Sequence, residues 1–99
     1  MGLTILLVDD DQILTEKTKN SLNWDSLGIG MVFTANNIHE AKGILKVYKV
    51  DILLCDVDMP MGSGLELVEW IREEGMEIKC IFLSSYANFT YAQKALRLG

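Results

Sequence analysis

The sequence predicts an α/β fold, a doubly wound parallel sheet built from four strand–helix units. Three observations predict it. Short continuous apolar runs recur along the chain, segments of helical period separate them, and the 99 residues suffice for one small domain. Continuous apolar runs suit strands buried on both faces, as in a parallel sheet, better than strands with one wet face. Strict alternation of strand and helix then implies right-handed crossovers with helices on both sides of the sheet.

The predicted strands are residues 4–8 (TILLV), 51–55 (DILLC) and 79–84 (KCIFLS), with a weaker one at 31–35 (MVFTA). The first helix is expected over residues 12–23 and has the poorest apolar stripe, carried by Ile13, Leu14 and Leu22. From Asn37 onward, Ile38, Ala41, Ile44, Leu45 and Tyr48 share one face, and Asn37 with Glu40 forms a capping-box-like start. Ser63 and Glu66 mark the start of a third helix that turns Leu67, Val68 and Ile71 inward and stops near Gly75. Asn88 caps a fourth, with Phe89, Ala92 and Leu96 on one side.

Composition narrows the function. Apolar residues make up 49% and charged residues 23% of the chain, which is ordinary for a globular domain. Fourteen acids against nine bases give a net charge of −5, which argues against binding nucleic acid through its phosphates. No apolar stretch approaches the roughly 20 residues that span a bilayer. The N-terminus carries no signal-peptide pattern, so a cytoplasmic protein without membrane contact is expected. The two cysteines, Cys55 and Cys80, lie in strand-like runs and read as small buried residues. If their strands are parallel neighbours, an offset of about three residues puts them on the order of 10 Å apart, too far for a disulfide.

The chemistry gathers at the strand ends. In an open α/β sheet, ligands bind beyond the carboxyl ends of the strands, where strand order reverses. Residues 8–11 (VDDD) close the first strand, Asp56 closes the third, and Ser84 and Ser85 close the fourth. Any one of these alone reads as a helix start or a loop, and their coincidence at consecutive strand ends carries the functional reading. Should the first and third strands be neighbours, Asp9, Asp10 and Asp56 converge. Three carboxylates so close repel one another unless a cation intervenes, and a hard divalent ion such as Mg²⁺ takes carboxylates together with waters and phosphate oxygens. A carboxylate can also act as a nucleophile and carry a phosphoryl group, for which Asp56 is best placed. His39, the single histidine, falls within an exposed helix, so a Ser-His-Asp hydrolase is not expected, and no P-loop is present.

These residues resemble the receiver domains of two-component response regulators, a flavodoxin-like fold. LLVDDD is similar to the opening strand with its acidic pair, and DILLCDVDMPMGSGLELV to the phosphoacceptor strand and the turn after it. IFLSSYANFTYAQKALRLG resembles the fourth strand and helix. This segment and NWDSLGI (residues 23–29) particularly resemble receivers joined to AraC-type DNA-binding domains. The resemblance implies Asp56 as phosphoacceptor, and Asp9 and Asp10 as the acids of a Mg²⁺ site, Asp10 foremost as direct ligand. Asp58 is implied to offer its backbone carbonyl to the metal, and Ser84 to be the switch hydroxyl. Met59-Pro60 with Gly64 would shape the loop under the site, and Asp11 is given no direct role. A sensor histidine kinase and a DNA-binding output domain are the implied partners. The implied role is a regulator of transcription rather than a metabolic enzyme.

Receivers continue with a fifth strand and helix beyond the equivalent of Gly99, so residues 1–99 are expected to be a C-terminally incomplete receiver. Two expectations follow. The exposed fourth strand would favour a dimer or a swapped oligomer. The missing strand would also remove a lysine that contacts the phosphoryl group, leaving as an alternative a phosphorylation-incompetent binding or dimerisation module. The spacing Asp56-x-Asp58 also occurs in aspartate-nucleophile phosphatases, but Pro60 stands where these have threonine.

Overall fold

The computed structural model describes residues 2–56 and 64–83, apart from the side chains at 56, 64, 65 and 83. The order is β1 (Leu3–Val8), α1 (Gln12–Ser21), a 3₁₀ turn (Asp25–Leu27), β2 (Ile29–Ala35), α2 (Ile38–Val47), β3 (Ile52–Asp56), α3 (Gly64–Glu73) and β4 (Lys79–Leu83). The four strands are all parallel and lie in the order β2-β1-β3-β4. Strand order therefore reverses between β1 and β3, as a doubly wound sheet requires. The expected fourth helix from Asn88, its residues Phe89, Ala92 and Leu96, and the Ser63 cap lie outside the described residues.

The continuous apolar runs are explained by burial on two faces. Leu6, Val8, Leu53 and Cys55 face one way and meet Ile38, Ala41 and Leu45 of α2 and Leu67, Val68 and Ile71 of α3. Ile5, Leu7, Ile52 and Leu54 face the other way, with Ile29, and Trp24, Leu27, Val32 and Ile81 pack against them. The alternation follows the two-residue period of a strand.

Two helix ends follow their sequence signals. Asn37 caps α2, its side chain accepting the Glu40 N–H at 2.8 Å. The Glu40 carboxylate reaches back one residue further than expected and accepts the Asn36 N–H at 2.7 Å. At the end of α3, Gly75 has φ +72°; its N–H donates to the Arg72 carbonyl, and the Met76 N–H donates to the Ile71 carbonyl. Together these bonds form a Schellman stop.

Three expectations need correction. Helix α1 ends at Ser21, and its inward face is not the stripe of Ile13, Leu14 and Leu22. Ile13 is 80% exposed, and the buried residues are Thr15 and Thr18. The Thr15 hydroxyl donates to the Gln12 carbonyl at 2.9 Å, so a threonine satisfies itself within the helix and can be buried at little cost. Tyr48 does not join the core stripe of α2; it is half exposed and lies against the Phe33 ring, with centroids 4.6 Å apart. Cys80 pairs with Leu53, two positions before Cys55, so the cysteines are offset by two residues rather than three. Both are free, Cys55 buried and Cys80 partly so.

At the amino ends of the strands, Asp51 ties the sheet together. Its carboxylate accepts the Thr4 N–H at 2.8 Å, its own N–H donates to the Thr4 carbonyl at 2.9 Å, and its carbonyl accepts the Lys79 N–H at 3.0 Å. One residue thereby joins β1, β3 and β4 at the edge opposite the acids.

Candidate functional site

Strand β1 delivers Asp9 and Asp10 at its carboxyl end, and the backbone register fixes what lies beside them. Val8 pairs with Cys55, so the residues that follow, Asp9 on one chain segment and Asp56 on the other, close adjacent strands at one level. On the far side of β3, Asp56 pairs with Leu83, the residue before Ser84. The fold thus brings the ends of β1, β3 and β4 together at the point where strand order reverses. Asp58 and Ser84 lie outside the described residues, as do Met59 and Pro60, and for Asp56 only the backbone is described.

The turn after β1 is held by polar contacts. The Asp9 N–H donates to the Ala35 carbonyl at 3.1 Å, extending the β1–β2 ladder one residue beyond β1. One Asp9 carboxylate oxygen accepts the Asp11 N–H at 2.9 Å. Asp9 is half-buried, whereas Asp10 is exposed. Asp11, given no role from sequence, caps α1: its side chain accepts the Leu14 N–H at 3.0 Å. One acid of the three is thereby spent on the helix start, where a carboxylate also suits the dipole.

Sequence reasoning missed Asn36. Its side-chain amide donates to the Asp9 carbonyl at 2.9 Å and to the Thr15 hydroxyl at 3.3 Å. The doubled Asn36-Asn37 at the end of β2 was the available signal, since one asparagine suffices for the cap.

Carboxylate oxygens at the end of β1 are donors that a hard divalent cation accepts. Among the described residues, no three His, Cys, Asp or Glu side chains form a ready metal-ligand cluster. The part of the set that would complete one, the Asp56 carboxylate and the Asp58 carbonyl, is not described. His39 is exposed on α2. Trp24 donates its indole N–H to the Lys19 carbonyl at 2.8 Å, and the Lys42 ammonium lies 5.5 Å from the centre of the Trp70 ring. Burial pushes the Cys80 thiol above its ordinary range, partly opposed by the Arg72 charge. No described helix is long and apolar enough to cross a membrane.

A parallel sheet ordered 2-1-3-4, with acids closing its central strands, is the flavodoxin-like arrangement that receiver domains share. Residues 5–99 match the response regulator receiver domain family, and the chain belongs to it. It is 34% identical over 95 residues to the uncharacterized transcriptional regulatory protein YesN of Bacillus subtilis (strain 168), covering 96% of this chain and 26% of that protein. Among solved structures, it resembles a two-component transcriptional regulator AraC from Clostridium phytofermentans ISDg. The TM-score is 0.76 at 31% identity, with 90% of this chain and 72% of that one covered. It also resembles the REC domain of AraT, a response regulator from Geobacillus stearothermophilus. There the TM-score is 0.75 at 32% identity, with 100% of this chain and 77% of that one covered. The chain spans about a quarter of the curated relative's length, 26%.

Proposed function

We propose that this chain is the phosphoacceptor switch of a transcriptional response regulator in the cytoplasm. A partner sensor histidine kinase supplies the phosphoryl group. A carboxylate oxygen of Asp56 attacks phosphorus, a P–O bond forms, and the P–N bond to the kinase histidine breaks as the imidazole leaves. Asp9 and Asp10, with Asp56 and the Asp58 carbonyl, hold Mg²⁺, whose charge offsets the crowding of anions around the transferring group. Ser84 then turns toward the new phosphoryl oxygens, and the change in charge reshapes the surface offered to a DNA-binding output domain. The chain regulates and is not a metabolic enzyme.

The observation that carries this reading is the strand register. With Val8 beside Cys55, Asp9 and Asp56 end neighbouring central strands at the switch point of the sheet. The AraC-type and transcriptional relatives support the output assignment. The alternative is a phosphorylation-incompetent binding or dimerisation module.

Intact-mass spectrometry after incubation with Mg²⁺ and a small acyl-phosphate donor tests the choice, with Asp56→Asn alongside. One added phosphoryl group, absent from the variant, is the expected result. No adduct from a chain shown to be folded would overturn the switch and bring the module reading forward.

A further inference from the structure

Asn36 is neither one of the acids nor the cap of α2, yet its side chain donates to the turn that carries them. We propose that Asn36 is a positioning residue that locks the Asp9–Asp10 turn in the arrangement that receives the cation. The inference rests on reading Asp9 and Asp10 as Mg²⁺ donors.

Asp9 is fixed at three of its polar groups. Ala35 takes its N–H, Asn36 Nδ2 donates to its carbonyl at 2.9 Å, and the Asp11 N–H donates to its carboxylate at 2.9 Å. The first of these is sheet pairing, and the third is local to the turn. Of these three contacts, the Asn36 bond is the one made to the peptide that joins Asp9 to Asp10, and this peptide sets the direction in which the Asp10 side chain leaves the sheet.

Asn36 can do this because it is itself held. Its own N–H donates to the Glu40 carboxylate at 2.7 Å, within the first turn of α2. Its amide also donates to the Thr15 hydroxyl at 3.3 Å, and Thr15 is buried in α1. An amide meets this need because it presents two N–H donors, one for each oxygen. Neither aspartate nor a hydrocarbon could donate to the Asp9 carbonyl. The network therefore links the first turns of α1 and α2 through one residue to the backbone between two candidate ligands. Groups that orient metal ligands without touching the ion raise affinity by arranging the donors in advance.

The test uses the full 99-residue chain. Asn36→Ala is compared with Asp51→Ala, whose lesion lies at the opposite edge of the sheet. Mg²⁺ affinity is read by calorimetry, Tm by circular dichroism, and exchange of the Asp10 and Asp11 amides by NMR without metal. Asn36→Leu, similar in size to asparagine and unable to donate, repeats each measurement. The expected result is Mg²⁺ binding weaker by about tenfold in both Asn36 variants, with faster exchange at Asp10 and Asp11. Asp51→Ala is expected to lower Tm with Mg²⁺ affinity unchanged. Asn36 variants that lose Tm but bind Mg²⁺ like the wild type would overturn the positioning role alone. A folded wild-type chain that binds no Mg²⁺ would overturn the functional reading and the proposal with it.

Discussion

Asp51 offers the most direct energetic test of how the sheet is held. Its carboxylate accepts the Thr4 N–H at 2.8 Å, while its backbone pairs with Thr4 and Lys79. Asp51→Ala removes only the first of these contacts. A hydrogen bond to a charged acceptor contributes about 1.5–3 kcal/mol. Both Asp51 and Thr4 are half-buried, so water can replace part of the bond. The lower end of that range applies, about 1.5–2 kcal/mol. Asp51→Asn keeps a neutral acceptor at the same place and should lose about 0.5–1 kcal/mol. For a domain of this size each kcal/mol moves Tm by about 4–8 °C, so the alanine variant should melt roughly 6–16 °C lower. Urea denaturation measures the difference, with the midpoint falling and the slope m unchanged. Equal stabilities for the alanine and asparagine variants would refute the reasoning, because a neutral acceptor at the same place would then recover none of the bond.

Two further outcomes are expected. Gly75 holds φ +72° with open space around its Cα, so Gly75→Ala is strained by backbone conformation alone and should cost about 1–2 kcal/mol in urea denaturation. Gly75→Asn should cost less, since asparagine tolerates that region. The Cys80 thiol is pushed above its ordinary value of 9.0 by burial, so the unfolded chain loses this proton first. Its contribution is complete below about pH 9 and declines as pH rises toward the folded value, so stability between about pH 8 and pH 10 should fall less in Cys80→Ala than in the wild type. Parallel pH dependences in the two proteins would count against a buried thiol at this position.

The sequence by itself determined the architecture. Four apolar runs and the alternation between them pointed to a parallel sheet, because continuous apolar runs suit strands covered on both faces, as β1 and β3 are. The inward faces of α2 and α3 were legible for the same reason: Ile38, Ala41, Leu45, Leu67, Val68 and Ile71 repeat at helical spacing, and all are buried. The acids at the strand ends were visible as costly residues closing apolar runs. What the sequence left conditional was whether the first and third strands are neighbours. Only the sheet order and the pairing of Val8 with Cys55 decided that Asp9 and Asp56 end adjacent strands.

Tertiary structure also decided the details where local patterning misleads. Hydropathy favoured Ile13 over Thr15 as a core residue, yet the helix presents Thr15 to the sheet, its hydroxyl satisfied by the Gln12 carbonyl. Neither Asp11 nor Asn36 could be assigned from sequence, since an acid or an amide declares its role only through the partner it meets. Asp11 meets the Leu14 N–H of its own helix, whereas Asn36 meets a carbonyl 27 positions away in the chain. Periodicity reports which face a residue occupies, but hydrogen-bond partners brought together from distant strands are set only when the sheet closes.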